Sequence, residues 1–375
     1  MDISKLYARL GPFLSPLAVP YAKVMGLRRV LYMRGAFTQY EPSCVCIAVG
    51  NIAFGGTGKS PVVGWLLDKA RSQGKKAAVI SRGYGGKPGK EPLLVSPGTA
   101  PALSGDEALM LAQKHPEARV IVHPKRALAA ALAEKQFSPD WLILDDGMQH
   151  LAVTRCINLV LLRPDDLREN WGRVIPSGPW REGESALAAA SAFLVRCEPQ
   201  DWENLLPDVQ RRLASFGKPV FSFSLEPTGL RRLQSGENAP DMTTRAACDG
   251  KKACPYVLVS GIARNSDVRR DAEHFLGGPA LRHYAFADHH TYTEDDLRAI
   301  AAAYPASIPV VCTAKDAVKL EPLAAALGPR ALLVLESGVR FGKTLYWDGA
   351  FDAWLDTRLM QCCKGPEKGR GITSN

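Results

Sequence analysis

Short apolar runs alternate with helix-period stretches from residue 44 to about 222, and that rhythm predicts strands and helices in turn. Strands are expected at Cys44–Val49, Ala77–Ser81, Arg119–Val122, Trp141–Asp145, Ile157–Leu162 and Ser191–Val195. Helical patterns occupy Pro61–Ser72, Asp106–Lys114 and Arg126–Lys135. Such βαβ alternation predicts an α/β fold, a parallel sheet with helices on both faces. A polar, turn-rich stretch at 226–254 precedes a second, smaller set. It has strands at Tyr256–Ser260, Pro309–Cys312 and Ala331–Leu335 and helices at Ser266–Phe275 and Thr293–Ala303. The expected domains are 41–225 and 226–360, followed by a Gly- and charge-rich tail at 361–375 expected to be disordered.

Residues 1–40 break the rhythm. Apolar and aromatic side chains there are interleaved with Lys5, Arg9, Lys23, Arg28, Arg29 and Arg34, against Asp2 alone. Pro12, Pro16 and Pro20 argue for two short helices with a bend. An amphipathic, cationic arm of this kind suits the headgroup region of a membrane, and a helix packed on the protein's own core is the alternative.

Size and charge narrow the class. The 375 residues suit two domains, and a net charge of +9 favours an anionic partner without choosing among nucleotide, nucleic acid, phosphorylated substrate or lipid. Nine scattered cysteines without paired CxxC motifs point to free thiols in a reducing compartment. Neither a clean signal peptide nor an apolar run of about 18 residues is visible, so a cytoplasmic protein is expected. No basic run interleaved with aromatics supports nucleic-acid binding.

The most specific motif follows the first strand. Val49-Gly50-Asn51 leads through Ala53, Phe54, Gly55, Gly56, Thr57 and Gly58 to Lys59 and Ser60, at a strand-to-helix junction. Glycines there let backbone N–H groups turn onto phosphate oxygens beside a helix N-terminus. Lys59 is placed to reach the β/γ-phosphates and Ser60 to ligate Mg²⁺. Ala53 stands where the strict pattern has Gly, so the loop is a variant. The strand Trp141–Asp145 ends in Asp145-Asp146, the carboxylates such a site needs for Mg²⁺. His150 follows, either positioning a ligand or satisfied within the fold. Arg82, within Ser81-Arg82-Gly83-Tyr84-Gly85-Gly86, offers a fork for phosphate or belongs to a mobile turn. Ser104 is a possible cap for the helix opening at Asp106. Trp171, Trp180, Arg181 and Glu182 lie in Pro/Gly-rich segments of a binding type, and Asp288-His289-His290 precedes a helix of the second set.

Together these motifs resemble the tetraacyldisaccharide 4'-kinase family of lipid A biosynthesis. The resemblance extends through Gly105-Asp106-Glu107, Asp145-Asp146-Gly147-Met148-Gln149-His150, Gly178-Pro179-Trp180-Arg181-Glu182 and Thr313-Ala314-Lys315-Asp316. It implies two α/β/α domains with the active cleft between them, the larger being P-loop-like. It also implies transfer of the ATP γ-phosphate to the 4'-hydroxyl of a lipid A precursor, tetraacyldisaccharide 1-phosphate, at the cytoplasmic face of the inner membrane. Asp106, paired with His289 of the second domain, is the implied base, and domain closure is expected to assemble that pair. Lys59 and Mg²⁺, held by Ser60 and Asp145 or Asp146, neutralise the phosphate oxygens, with Arg181 and Glu182 near the phosphates or metal. Trp180 and Met148 depart from the family's usual Leu and Phe. A P-loop GTPase or ATPase switch is the rival, but Thr313-Ala314-Lys315-Asp316 displaces the Lys of a guanine reader by one position.

Overall fold

The computed structural model describes residues 3–233 and 255–363. In chain order the strands are β1 (Val45–Asn51), β2 (Ala77–Ser81), β3 (Leu93–Val95), β4 (Arg119–Val122), β5 (Trp141–Asp145) and β6 (Ile157–Leu162). They continue with β7 (Ala192–Arg196), β8 (Val220–Leu233), β9 (Val257–Ser260), β10 (Arg282–Ala285), β11 (Val310–Thr313) and β12 (Leu332–Leu345). The helices are α1 (Ile3–Met33), α2 (Lys59–Ser72), α3 (Pro101–Ser104), α4 (Asp106–Lys114), α5 (Arg126–Phe137) and α6 (Pro164–Leu167). After them come α7 (Trp202–Leu213), α8 (Asn265–Leu276), α9 (Glu294–Ala303), α10 (Ala314–Leu320) and α11 (Phe351–Cys363).

Two compact units emerge. The first holds Met1–Arg82, Glu117–Ser224 and Arg340–Asn375. Its strand order is β8-β7-β6-β1-β5-β2-β4, and each neighbouring pair from β8 to β4 is parallel. Strand β1 lies between β5 and β6, so the order reverses there, and in open parallel sheets that switch point is where ligands bind. Each residue of β1, β2 and β5 is buried, as continuous apolar runs covered on both faces require. The second unit holds Gly83–Pro116 and Leu225–Val339. Its strands run β10-β9-β11-β12, pairwise parallel, and α4 packs on α10.

These boundaries differ from those read in the sequence. Gly83–Pro116 belongs to the second unit, because α4 finds its apolar partner in α10. Residues from Arg340 onward return to the first unit, where Phe351 and Trp354 of α11 pack on Phe221 and Lys69 bonds Asp352 at 2.5 Å. The stretch read as turn-rich from 226 begins instead as strand, since β8 runs to Leu233, and the rest of it (234–254) lies outside the described residues. Helix α11 continues to Cys363, and the remainder of the expected tail also lies outside them.

The N-terminal arm is one helix rather than two. Pro12, Pro16 and Pro20 are four apart and so share a face, where the missing N–H groups interrupt the ladder along a single side. The second half of α1 is fastened to the first unit: the Tyr21 hydroxyl donates to the Arg181 carbonyl at 3.2 Å, and Ala18 and Arg29 are buried. The opposite stripe is apolar and open, with Phe13, Leu17, Val24 and Leu27 all more than half exposed. Arg28 and Arg29, counted among the arm's cations, turn inward, whereas Lys23 and Arg34 are exposed. Among the described residues no helix is long and apolar enough to cross a membrane.

Candidate active site

The nucleotide half is built entirely in the first unit. At the carboxyl end of β1 the chain makes an irregular pairing, with Phe54 N–H donating to the Pro179 carbonyl at 2.9 Å and Arg181 N–H to the Ile52 carbonyl at 2.7 Å. This pairing lays the Pro/Gly-rich segment alongside the loop and delivers Arg181 to it. Trp180 is fully buried, in the same apolar cluster as Phe193 and Leu187. Ala53 is also fully buried, so the methyl group replacing the motif's first Gly points into the core, away from the open turn at Gly55 and Gly56. Gly58, at φ +93°, ends the loop as the N-cap of α2 without a side-chain cap, leaving that helix's first N–H groups to a ligand. The Thr57 hydroxyl is buried without a hydrogen-bond partner among the described residues.

Lys59 and Arg181 converge on two acceptors. Lys59 Nζ donates to Asn51 Oδ1 at 3.0 Å and lies 3.5 Å from Asp146 Oδ1. Arg181 binds both Asp146 oxygens, at 2.8 and 2.9 Å, and also bonds Asn51 Oδ1. Burial alone would raise the Asp146 pKa, but the Lys59 charge and the Arg181 bonds outweigh it and hold the carboxyl well below the usual range. Asp145 faces Val49 in the β1–β5 register and accepts from the Ser81 hydroxyl at 3.0 Å. The two acids therefore diverge: Asp145 is seated in the sheet, and Asp146 faces the cations of the loop.

Asp146 has φ +50°, a left-handed conformation that costs an Asp free energy and must be held by its surroundings. Four arginines hold it. Arg126 donates to the carbonyl of Asp146 at 2.7 Å, Arg155 to those of Gly147 and His150 at 2.6 and 3.2 Å, Arg29 to Met148 at 3.4 Å and Arg28 to Gln149 at 3.1 Å. Five successive carbonyls thus each accept from a guanidinium. Gly50 lets this loop lie flat on β1, because a Cβ there would stand 2.5 Å from Met148 N. Burial and then the surrounding arginines push the His150 ring down to about 3, so it is neutral near pH 7 and serves the loop's packing.

The Mg²⁺ candidates are Ser60, Asp145, Asp146 and Glu182. Among the described residues no group of three or more His, Cys, Asp or Glu side chains is arranged around a common point. Mg²⁺ in phosphotransferases is held by one or two carboxylates together with phosphates and water, so a sparse donor set suits it. Glu182 is buried, with Oε2 committed to Arg29 at 2.5 Å and Oε1 without a hydrogen-bond partner among the described residues. That orphaned oxygen fits a cation or its water.

The second unit carries the acid–base candidates. Asp106 and His289, read in the sequence as joined from different domains, lie in one unit, with His289 Nδ1 3.3 Å from Asp106 Oδ2. The pair is preassembled by α4 and the 286–292 loop. Lys319 Nζ lies 3.4 Å from the same Asp106 oxygen, and Lys315 Nζ donates to His289 Nε2 at 3.2 Å. Burial would lower the Lys315 pKa, but Glu107 and Asp288 raise it, so the amine is a cation that donates. A donor on Nε2 assigns the proton of a neutral ring to Nδ1, facing Asp106. Ser104 does not cap α4: Gly105 is the N-cap, and the Ser104 hydroxyl bonds the Ala100 and Gly105 carbonyls. Asp316 is fully buried, accepting from Gly261 N–H, the Tyr292 hydroxyl and the Thr313 hydroxyl, and is therefore unavailable to a guanine base.

Sequence reasoning missed Arg126, Arg155, Lys315 and Lys319 as parts of the site. Lys315 stood inside a quoted motif, whereas the two arginines carry no local signal because their acceptors are backbone carbonyls.

The tetraacyldisaccharide-1-P 4'-kinase family pattern matches residues 10–359. The chain is 43% identical to a tetraacyldisaccharide 4'-kinase of Nitratidesulfovibrio vulgaris over 97% of this chain and 98% of that protein. It is 35% identical to the same-named protein of Pseudomonas aeruginosa over 92% of each chain. A crystal structure of LpxK from Aquifex aeolicus in complex with ATP superposes with a TM-score of 0.71 at 25% identity, covering 94% of this chain and 99% of that one. Motifs, fold and relatives agree: the chain belongs to the tetraacyldisaccharide-1-P 4'-kinase family.

Proposed function

We infer that the protein is an ATP-dependent kinase that phosphorylates the 4'-hydroxyl of tetraacyldisaccharide 1-phosphate, the lipid A precursor. The observation that carries this reading is Lys59 and Arg181 converging on Asp146 at the end of β1, in a chain matched almost throughout by that kinase family.

Phosphoryl transfer depends on positioning and charge neutralisation more than on covalent chemistry. The uncapped N-terminus of α2 and the loop N–H groups cradle the phosphates, and Lys59 exchanges its bond to Asn51 for a γ-phosphate oxygen. Arg181, beside Asp146, stabilises the charge that develops on the transferring group. Ser60 and Asp146 would hold Mg²⁺, with Asp145 and Glu182 supporting, and the metal would supply charge neutralisation at the transferring phosphate. The acceptor hydroxyl is a poor nucleophile, and Asp106 takes its proton as the oxygen attacks. His289, with Lys315 fixing its tautomer, orients Asp106 and spreads the charge. Lys319, 3.4 Å from the same carboxylate, places a second cation beside it.

The open stripe of α1 supports a membrane-surface role, in which Phe13, Leu17, Val24 and Leu27 enter the headgroup region while Lys23 and Arg34 meet anionic lipid. The inner membrane's cytoplasmic face, where ATP is available, is the proposed surface. The test is transfer of labelled γ-phosphate from ATP to the disaccharide 1-phosphate in detergent micelles. Product phosphorylated at the 4' position is expected, and turnover that leaves the disaccharide unchanged would refute the assignment.

A further inference from the structure

The arm helix reaches the nucleotide half of the site directly. Three side chains from its second half, Tyr21, Arg28 and Arg29, contact the two segments that present Asp146 and Arg181. Arg29 touches both. Its guanidinium binds Glu182 Oε2 through Nε at 3.1 Å and Nη2 at 2.5 Å, and Nη2 also lies 3.4 Å from the Met148 carbonyl. Glu182 follows Arg181 in the chain, and Met148 lies two residues after Asp146. Both partners are buried, Arg29 at 8% and Glu182 at 2% exposure, so the contact is part of the interior and not a surface ion pair.

We propose that Arg29 is a positioning residue for the kinase reaction, joining the membrane-facing helix to the two segments that carry Arg181 and Asp146. The inference rests on the site reading above. Its chemistry is specific to arginine. One planar guanidinium spans a carboxylate and a carbonyl at fixed angles, whereas a lysine ammonium offers a point charge on a flexible stem. Without Arg29, the buried Glu182 carboxylate loses its guanidinium hydrogen bonds, and the Met148 carbonyl loses its donor. The 146–150 loop then relaxes from the conformation that keeps Asp146 at φ +50°. The same helix that seats the lipid-facing stripe therefore sets the geometry of the phosphate machinery.

The test compares full-length wild type, Arg29→Met, Arg29→Lys and Val24→Ser, the last altering the exposed stripe alone. Two readouts are taken: steady-state kinetics in mixed micelles with ATP and the disaccharide 1-phosphate, and amide hydrogen exchange of the protein without ligands. Arg29→Met is expected to lower kcat at least 10-fold, with the acceptor KM changed less than 3-fold. Exchange should rise at 146–150 and 179–182 while β1, β5 and β6 keep their protection. Arg29→Lys should fall between, and Val24→Ser should raise the acceptor KM without altering exchange at those segments. Unchanged kcat and exchange in Arg29→Met, or a loss confined to acceptor KM, would overturn the proposal. If Arg29→Met does not fold, Arg29→Lys carries the same comparison, and wild-type exchange and kcat in that variant overturn it. An inactive wild type would instead refute the kinase reading, which separates the two failures.

Discussion

Removing the Asp106–His289 interaction should show that the two groups act as one. The carboxylate is the proposed base, and general-base catalysis contributes about 10²–10⁴-fold, so Asp106→Asn should lower kcat by about three decades, ~4 kcal/mol of barrier. His289 acts through its Nδ1–H, 3.3 Å from Asp106 Oδ2, with the side chains 30% and 14% exposed. A hydrogen bond to a charged group is worth about 1.5–3 kcal/mol, and this length and partial exposure favour the low end, so His289→Asn should cost on the order of 10-fold. Once the base is gone, the ring has nothing to orient. The double variant should therefore sit within about 3-fold of Asp106→Asn, as expected for groups that act together. Independent action predicts a loss near 10⁴-fold. The assay is initial-rate transfer of labelled phosphate to the disaccharide in micelles at saturating ATP, with melting curves confirming that each variant folds. Losses that multiply would refute the pair as a catalytic unit.

Lys59→Ala should keep the fold and lose transfer by on the order of 10²-fold or more, because a charge directed at the transferring phosphate is gone. Normal turnover by that variant would remove the nucleotide assignment. The depressed His150 pKa makes the protein acid-sensitive: between pH 6.5 and about 3 the unfolded ring binds a proton that the folded ring does not, so stability falls with acid. From pH 7.5 to 5.0 wild type should lose up to about 2 kcal/mol more than His150→Gln in urea titrations, and identical pH profiles would contradict the buried-neutral assignment. Replacing Val24 and Leu27 together with Ser should reduce flotation with anionic liposomes at high salt, where the apolar term dominates. Unchanged flotation would place the anchor elsewhere.

Much of the architecture was legible because strands buried on both faces are written as unbroken apolar runs. Trp141–Asp145 and Ile157–Leu162 match the structure residue for residue. What escaped notice has physical reasons. Helix α7 carries Pro207 in its interior, a residue that argues against helix until packing of Trp202, Leu205 and Val209 overrides it. Strands β8 and β12 run on past their buried halves into half-exposed residues, where the apolar signal stops but pairing does not. The phosphate loop and the acids were readable because their chemistry needs particular residues at short spacing. Arg126 and Arg155 were not, since a donor to a backbone carbonyl leaves no complementary residue in the sequence to point at it.

The contact between Gly50 and the 146–150 loop bears on inhibitor resistance. Enlarging a side chain against a bound compound is one route to resistance, and it is closed where backbone packs on backbone. Any Cβ at position 50 would meet Met148 N at 2.5 Å and its Cβ at 2.6 Å, displacing the loop that carries Asp146. A compound bound against Asp146 would therefore press on a loop whose seat at position 50 admits no larger side chain without moving that carboxylate.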